Sequence, residues 1–206
     1  FMKEIVSGLN TSQSVLVLML GYFFAPFFLI LPVMYSTVIA SESFAGERER
    51  KTIEALLYTP ASDAELFIGK VLAAFIPAVL ITWVSFLGYT IVLNAAGWSI
   101  MEKIWFPLTN WDPLIFWGSP AISLLSIAAT VLISSKTQTF MGAYQTSGSL
   151  VLVVLALLAG QATGVIYLSV VAGLVIGLVI FAVDAVLMYY AVRTFNRDKL
   201  LVSTSS

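Results

Sequence analysis

The chain has 206 residues, 60% of them hydrophobic and only 10% charged, with a net charge of -1 and a mean hydropathy of +0.99. A soluble domain carries about a quarter charged residues, so this composition excludes one and requires an integral membrane protein. No basic tail is present to hold nucleic acid, and the absence of both cysteine and histidine removes disulfides, thiolate chemistry, the usual zinc ligands and the commonest general base.

The chain opens on Phe1 rather than methionine and shows no signal-peptide pattern, so a fragment with an internal start is expected. Residues 1–14 end in NTSQS and read as an interfacial lead-in; Asn10-Thr11-Ser12 is formally a glycosylation sequon, a triplet that often arises by chance. The first apolar span is expected at 15–40, with a kink at Pro26 and Pro32 whose freed carbonyls neighbouring helices would satisfy.

Residues 42–70 then carry more than a third of the charged side chains. Glu47, Arg48, Glu49, Arg50 and Lys51 exclude a lipid-facing position. As a helix this stretch would place Glu47 and Glu54 within reach of Lys51, with Ile53, Leu56 and Leu57 forming an apolar ridge on another face. Pro60 would stop it by forcing Thr59 out of the α region. Ser62 and Glu65 form a capping box for the next helix. The pattern predicts helix, sharp turn, helix at a membrane surface.

A second span is expected at 71–96, with Pro77 early in it. Residues 97–112 hold Trp98, Trp105 and Trp111 and read as an external loop lying along the interface, where tryptophan settles at headgroup level. Further spans are expected at 113–133, 140–159 and 165–192. The whole predicts one all-α domain over 1–206, a polytopic bundle of five transmembrane helices with a cytosolic loop at 42–70. Threading the spans alternately puts Arg48, Arg50, Lys51, Lys70, Lys136, Arg193, Arg197 and Lys199 on one side, with Lys3 and Lys103 opposite. The positive-inside rule makes the first side cytoplasmic, so the C-terminus is expected inside.

Several chemistries fail on inspection. Gly69-Lys70 lacks a phosphate loop's other members, since Ala64 and Val71 occupy their places; Lys70 reads as a snorkelling lysine. Gly148-Ser149 is not a nucleophile elbow, and Ser134 or Ser135 beside Lys136 has an ordinary turn composition. Asp184 is the acidic residue well inside a span, either an ion-linked site or a structural carboxyl bonded to hydroxyls or to Arg193. Gly173 with Gly177, and Gly142 with Thr146 beside Ala143 with Ser147, are small-residue rows suited to close helix packing within the bundle or across a dimer. Tyr144, Gln145, Thr146, Ser147 and Ser149 make the start of the fourth span polar, fit for a translocation path or for interhelical hydrogen bonds.

The 42–70 stretch resembles the signature loop of ABC-2-type transporter permeases, nearest the sodium-efflux-like and multidrug-export-like branch. The resemblance runs through Glu42, Gly46, Glu47, Arg48, Glu49, Arg50, Thr52, Glu54, Leu56, Leu57, Pro60, Ser62, Gly69 and Lys70. It implies that these residues form a coupling helix docking into a groove on a separate ABC ATPase subunit. It further implies pairing with a second permease copy in a homo- or heterodimer, ATP and Mg held on the ATPase rather than on this chain, and a prokaryotic plasma-membrane exporter that is not itself an enzyme. The family has six spans, so the resemblance also implies a missing first span. The alternative is a secondary transporter or channel driven by an ion gradient through Asp184. An intramembrane enzyme lacks candidate groups, and a purely structural protein leaves the 42–70 stretch unexplained.

Overall fold

The computed structural model describes residues 7–50, 52, 62–137, 139–162 and 169–194. Among them are five helices long and apolar enough to cross a membrane, and no strand. They are α1 (Thr11–Glu49), α2 (Asp63–Met101), α3 (Pro113–Ser134), α4 (Phe140–Gln161, interrupted after Gly148) and α5 (Val170–Thr194). The chain is the all-α polytopic bundle its composition requires.

α1 starts earlier than the apolar run suggests because Asn10 and Gln13 form a reciprocal capping box. Pro26 then removes a backbone donor and crowds the preceding turn. The helix widens to π turns over Val17–Phe23 and tightens to 3₁₀ turns over Ala25–Leu29. Carbonyls in this stretch are taken by side chains from three other segments. Tyr89 on α2 donates to Leu20 O at 3.0 Å, the Trp111 indole to Gly21 O at 2.6 Å, and Gln161 on α4 to Tyr22 O at 2.7 Å. The irregular stretch at Pro26 is therefore also a junction, its freed carbonyls bonded to the rest of the bundle, whereas Pro32 lies within the regular helix Ile30–Ser41.

At its other end α1 passes the limit of the apolar run and continues to Glu49, through a π turn at Glu42–Gly46. The expected separate helix does not begin at Glu47. Nothing between Ala40 and Arg50 breaks a helix, and the single glycine is absorbed by the wide turn. Lys51 and residues 53–61, including Ile53, Glu54, Leu56, Leu57, Thr59 and Pro60, lie outside the described residues, as do Lys3, Arg197 and Lys199.

α2 begins at the predicted Ser62–Glu65 capping box and ends at Glu102, whose left-handed backbone (φ 52°) lets its N–H reach Trp98 O. The 97–112 segment sends its tryptophans in different directions. Trp98 is exposed on α2, but Trp105 and Trp111 turn into the core. Asn94 draws this segment inward: its amide donates to Phe106 O at 2.6 Å and its carbonyl accepts from the N–H groups of Trp105 (3.0 Å) and Phe106 (3.2 Å). Trp111, Phe106, Phe86, Tyr89 and Phe28 then pack ring against ring at centroid distances of 4.9–6.5 Å. This is the bundle's aromatic end.

α3 is the most enclosed helix, packed against α1, α2, α4 and α5. The Gly173/Gly177 row serves this intramolecular packing: Pro113 and Trp117 lie where its side chains would be, and Trp117 donates to Leu174 O at 3.2 Å. In α4 the buried row is Ala143 and Ser147, while Gly142 faces its own capping residue Thr139. The second apolar cluster, containing Phe44, Phe67, Val71, Ile127, Val131 and Ala191, lies at the opposite, charged end.

Candidate functional site

The last two turns of α1 set out the charged signature by direction. Glu42, Gly46 and Arg50 recur every four residues and share one face. Glu42 and Arg50 pair there, with side chains 44% and 58% exposed. Gly46 leaves room for the Glu42 carboxylate to lie across it, which a Cβ at this position would displace. Such exposed pairs contribute little stability, so this edge is available for other contacts. Thr52 is also exposed and donates back to Glu47 O.

The three residues between Gly46 and Arg50 point elsewhere, each toward another helix. Glu47 pairs with Lys70 on α2, and Lys70 also donates to Ser43 O at 2.6 Å and sits 5.4 Å from the Phe44 ring centroid. Lys70, read from the sequence as snorkelling, thus fastens α2 to α1. Arg48 donates to Ser134 O at 2.8 Å, a carbonyl at the C-terminal end of α3. Glu49 accepts from the Phe140 N–H at 2.7 Å, at the first turn of α4, where Thr139 also caps Gly142. A cation meets a carbonyl end and an anion meets an amide end, the favourable sense in both cases.

Replacing Lys70 with methionine leaves the 29%-exposed Glu47 side chain without this partner. Hydrogen bonds to charged groups contribute about 1.5–3 kcal/mol, so Lys70→Met should lower the unfolding temperature in detergent. An unchanged transition would show that the pair carries no stability. Gly69 has no comparable structural duty, since a Cβ there would meet open space. Glu54, Leu56, Leu57 and Pro60 lie outside the described residues.

Asp184 does not join the charged end. It is 3% exposed, and neither carboxylate oxygen has a hydrogen-bond partner among the described residues. Arg193, its expected cation, instead lies 4.3 Å from the Tyr189 ring centroid. The Ser36 and Ser123 hydroxyls are likewise buried without partners, whereas Thr37, Thr82, Ser126 and Thr130 donate to carbonyls one turn back. Among the described residues, no group of histidine, cysteine, aspartate or glutamate could hold a metal.

These charges are laid out at one end of a five-helix membrane bundle, and the model of the ABC-2 family transporter proteins matches residues 2–173. The chain belongs to the ABC-2 transporter family. No curated protein and no solved structure matches it. As an ABC-2 permease it is a multi-pass membrane subunit of a transport system, of a family that typically works with an ABC ATPase subunit. The match includes every residue of the charged end up to Phe140 and stops short of Asp184.

The bonds of Arg48 and Glu49 to α3 and α4 have no short-range sequence signal, because their partners are backbone groups 86 and 91 residues away. Asn94 and Gln161 did carry one: a strong hydrogen-bonding amide within or at the end of an apolar span calls for a partner.

Proposed function

We propose that this ABC-2 permease is the membrane-spanning subunit of an exporter whose transport is driven by ATP hydrolysis on a separate ATPase. Support comes chiefly from the charged edge Glu42–Arg50, which stands exposed at the end of a helix otherwise made for a membrane. In this reading the charged end is cytoplasmic, as the clustering of Arg48, Arg50, Lys70, Lys136 and Arg193 favours. The membrane is a prokaryotic plasma membrane. Two permease copies meet two ATPase subunits, which hold ATP and Mg. Closure of the ATPase dimer displaces the end of α1 and tilts the helices between inward- and outward-facing arrangements.

The test is ATP-dependent transport by the complex reconstituted in liposomes. Reversing the exposed charge, Arg50→Glu, should strongly reduce ATP-driven transport while the subunit remains inserted. Normal transport by that variant would refute the docking role.

A second reading is favoured by one observation, the Asp184 carboxyl inside α5, which has no hydrogen-bond partner among the described residues. It makes the chain an ion-gradient-driven transporter or channel. Asp184→Asn separates the two: loss of all transport with intact ATPase association supports the ion-linked reading, and retained ATP-driven transport rules it out.

A further inference from the structure

Arg48 and Glu49 lie within the charged signature, yet each bonds a backbone group of another helix, Arg48 in a part-buried contact and Glu49 in an exposed one. We infer that the signature is divided by direction: Arg48 and Glu49 are positioning residues that carry movement from α1 into α3 and α4, while the Glu42–Arg50 edge is the part that meets the ATPase. This rests on the ATP-driven reading above and assigns separate roles to residues within the same site.

The geometry carries the division. Successive residues on a helix are turned by about 100°, so Glu47, Arg48 and Glu49 leave α1 in three directions. The described structure gives each a different mate: Lys70 on α2, Ser134 O on α3 and Phe140 N–H on α4. Arg50, one turn beyond Gly46, comes back to the exposed Glu42 face. Arg48 and Glu49 together grip both sides of the short connection between α3 and α4. Each bond is charge-assisted and matched to the helix end it meets.

A mechanical consequence follows. The connection between α3 and α4 cannot stay behind when the last turn of α1 moves unless one of these two bonds breaks. α3 in turn packs on α5 through Trp117 and Gly177. A push on the exposed edge therefore reaches the centre of the bundle through Arg48 and Glu49. The Lys70 link, made by the neighbouring Glu47, brings α2 along.

The experiment compares Arg48→Ala, Glu49→Ala and Arg50→Glu in the complete permease–ATPase complex in liposomes, reading ATPase affinity and substrate moved per ATP hydrolysed. Arg48→Ala and Glu49→Ala should bind the ATPase within about twofold of wild type, yet move about five- to tenfold less substrate per ATP. Arg50→Glu should weaken ATPase binding by about tenfold or more. Glu49→Gln, which keeps the shape and an acceptor oxygen, should restore part of the lost coupling, and it serves as the readout if Glu49→Ala does not fold. The inference is overturned if Arg48→Ala or Glu49→Ala weakens ATPase binding as strongly as Arg50→Glu, or if neither changes transport per ATP. If the wild-type chain neither binds an ATPase nor transports with ATP, the ATP-driven reading falls and this inference falls with it. Failure of the variants alone leaves that reading standing.

Discussion

Trp111→Ala should destabilise the bundle by about 3–5 kcal/mol, the range for removing a large aromatic side chain from a packed core. Trp111 is 0% exposed and its ring is packed by Phe28, Phe86, Tyr89 and Phe106. Its indole N–H also bonds Gly21 O, next to the irregular turn that Pro26 imposes on α1. Within a bilayer the lost dispersion contacts and the hydrogen bond dominate, because lipid gives little hydrophobic drive between helices. Trp111→Phe isolates the hydrogen bond: it keeps most of the ring contact and should cost only about 1 kcal/mol. Thermal unfolding in detergent, followed by far-ultraviolet dichroism, measures both. Equal losses would place the stabilisation in the hydrogen bond rather than in the ring packing.

Asn94→Leu should have an effect of comparable rank although it removes no bulk. One amide serves Phe106 O and the N–H groups of Trp105 and Phe106, and the side chains of both those residues are buried. Leucine leaves these backbone groups without that partner, at about 1–3 kcal/mol for each that stays buried. The segment after α2 should then detach and expose Trp105, detected as a red shift and faster quenching of tryptophan emission. Asn94→Asp keeps the two accepting contacts and loses the donation to Phe106 O, so it should fall between wild type and leucine. Unaltered emission in Asn94→Leu would show that ring packing alone holds the segment.

Much of the architecture was legible because a bilayer admits few solutions. Long apolar runs without charge become helices, since their backbone must satisfy itself. The capping box at Ser62 and Glu65 was readable for the same reason: its partners are three residues apart. What escaped depends on distant pairs. The inward turn of Trp105 and Trp111 escaped because Asn94, an amide inside an apolar span, signals that it needs a partner but not which one. The charged signature was legible as a motif through its resemblance to ABC-2 permeases. The orientation of Arg48 and Glu49 was not, because composition gives a side chain's charge and not the helix end it faces. Asp184 was conspicuous from sequence as a carboxyl inside an apolar run, and the structure adds that Arg193 is occupied with Tyr189 instead.

The chain contains no cysteine, so Arg50→Cys would introduce a unique thiol at the exposed edge of the charged end. Cross-linking from that position in membranes, with an ABC ATPase co-expressed, tests directly whether an ATP-hydrolysing partner grips this edge from the cytoplasm. A cross-link to the ATPase that varies with bound nucleotide is expected, together with protection from membrane-impermeant maleimide added outside. Labelling of the thiol from outside, with no cross-link in any nucleotide state, would contradict it.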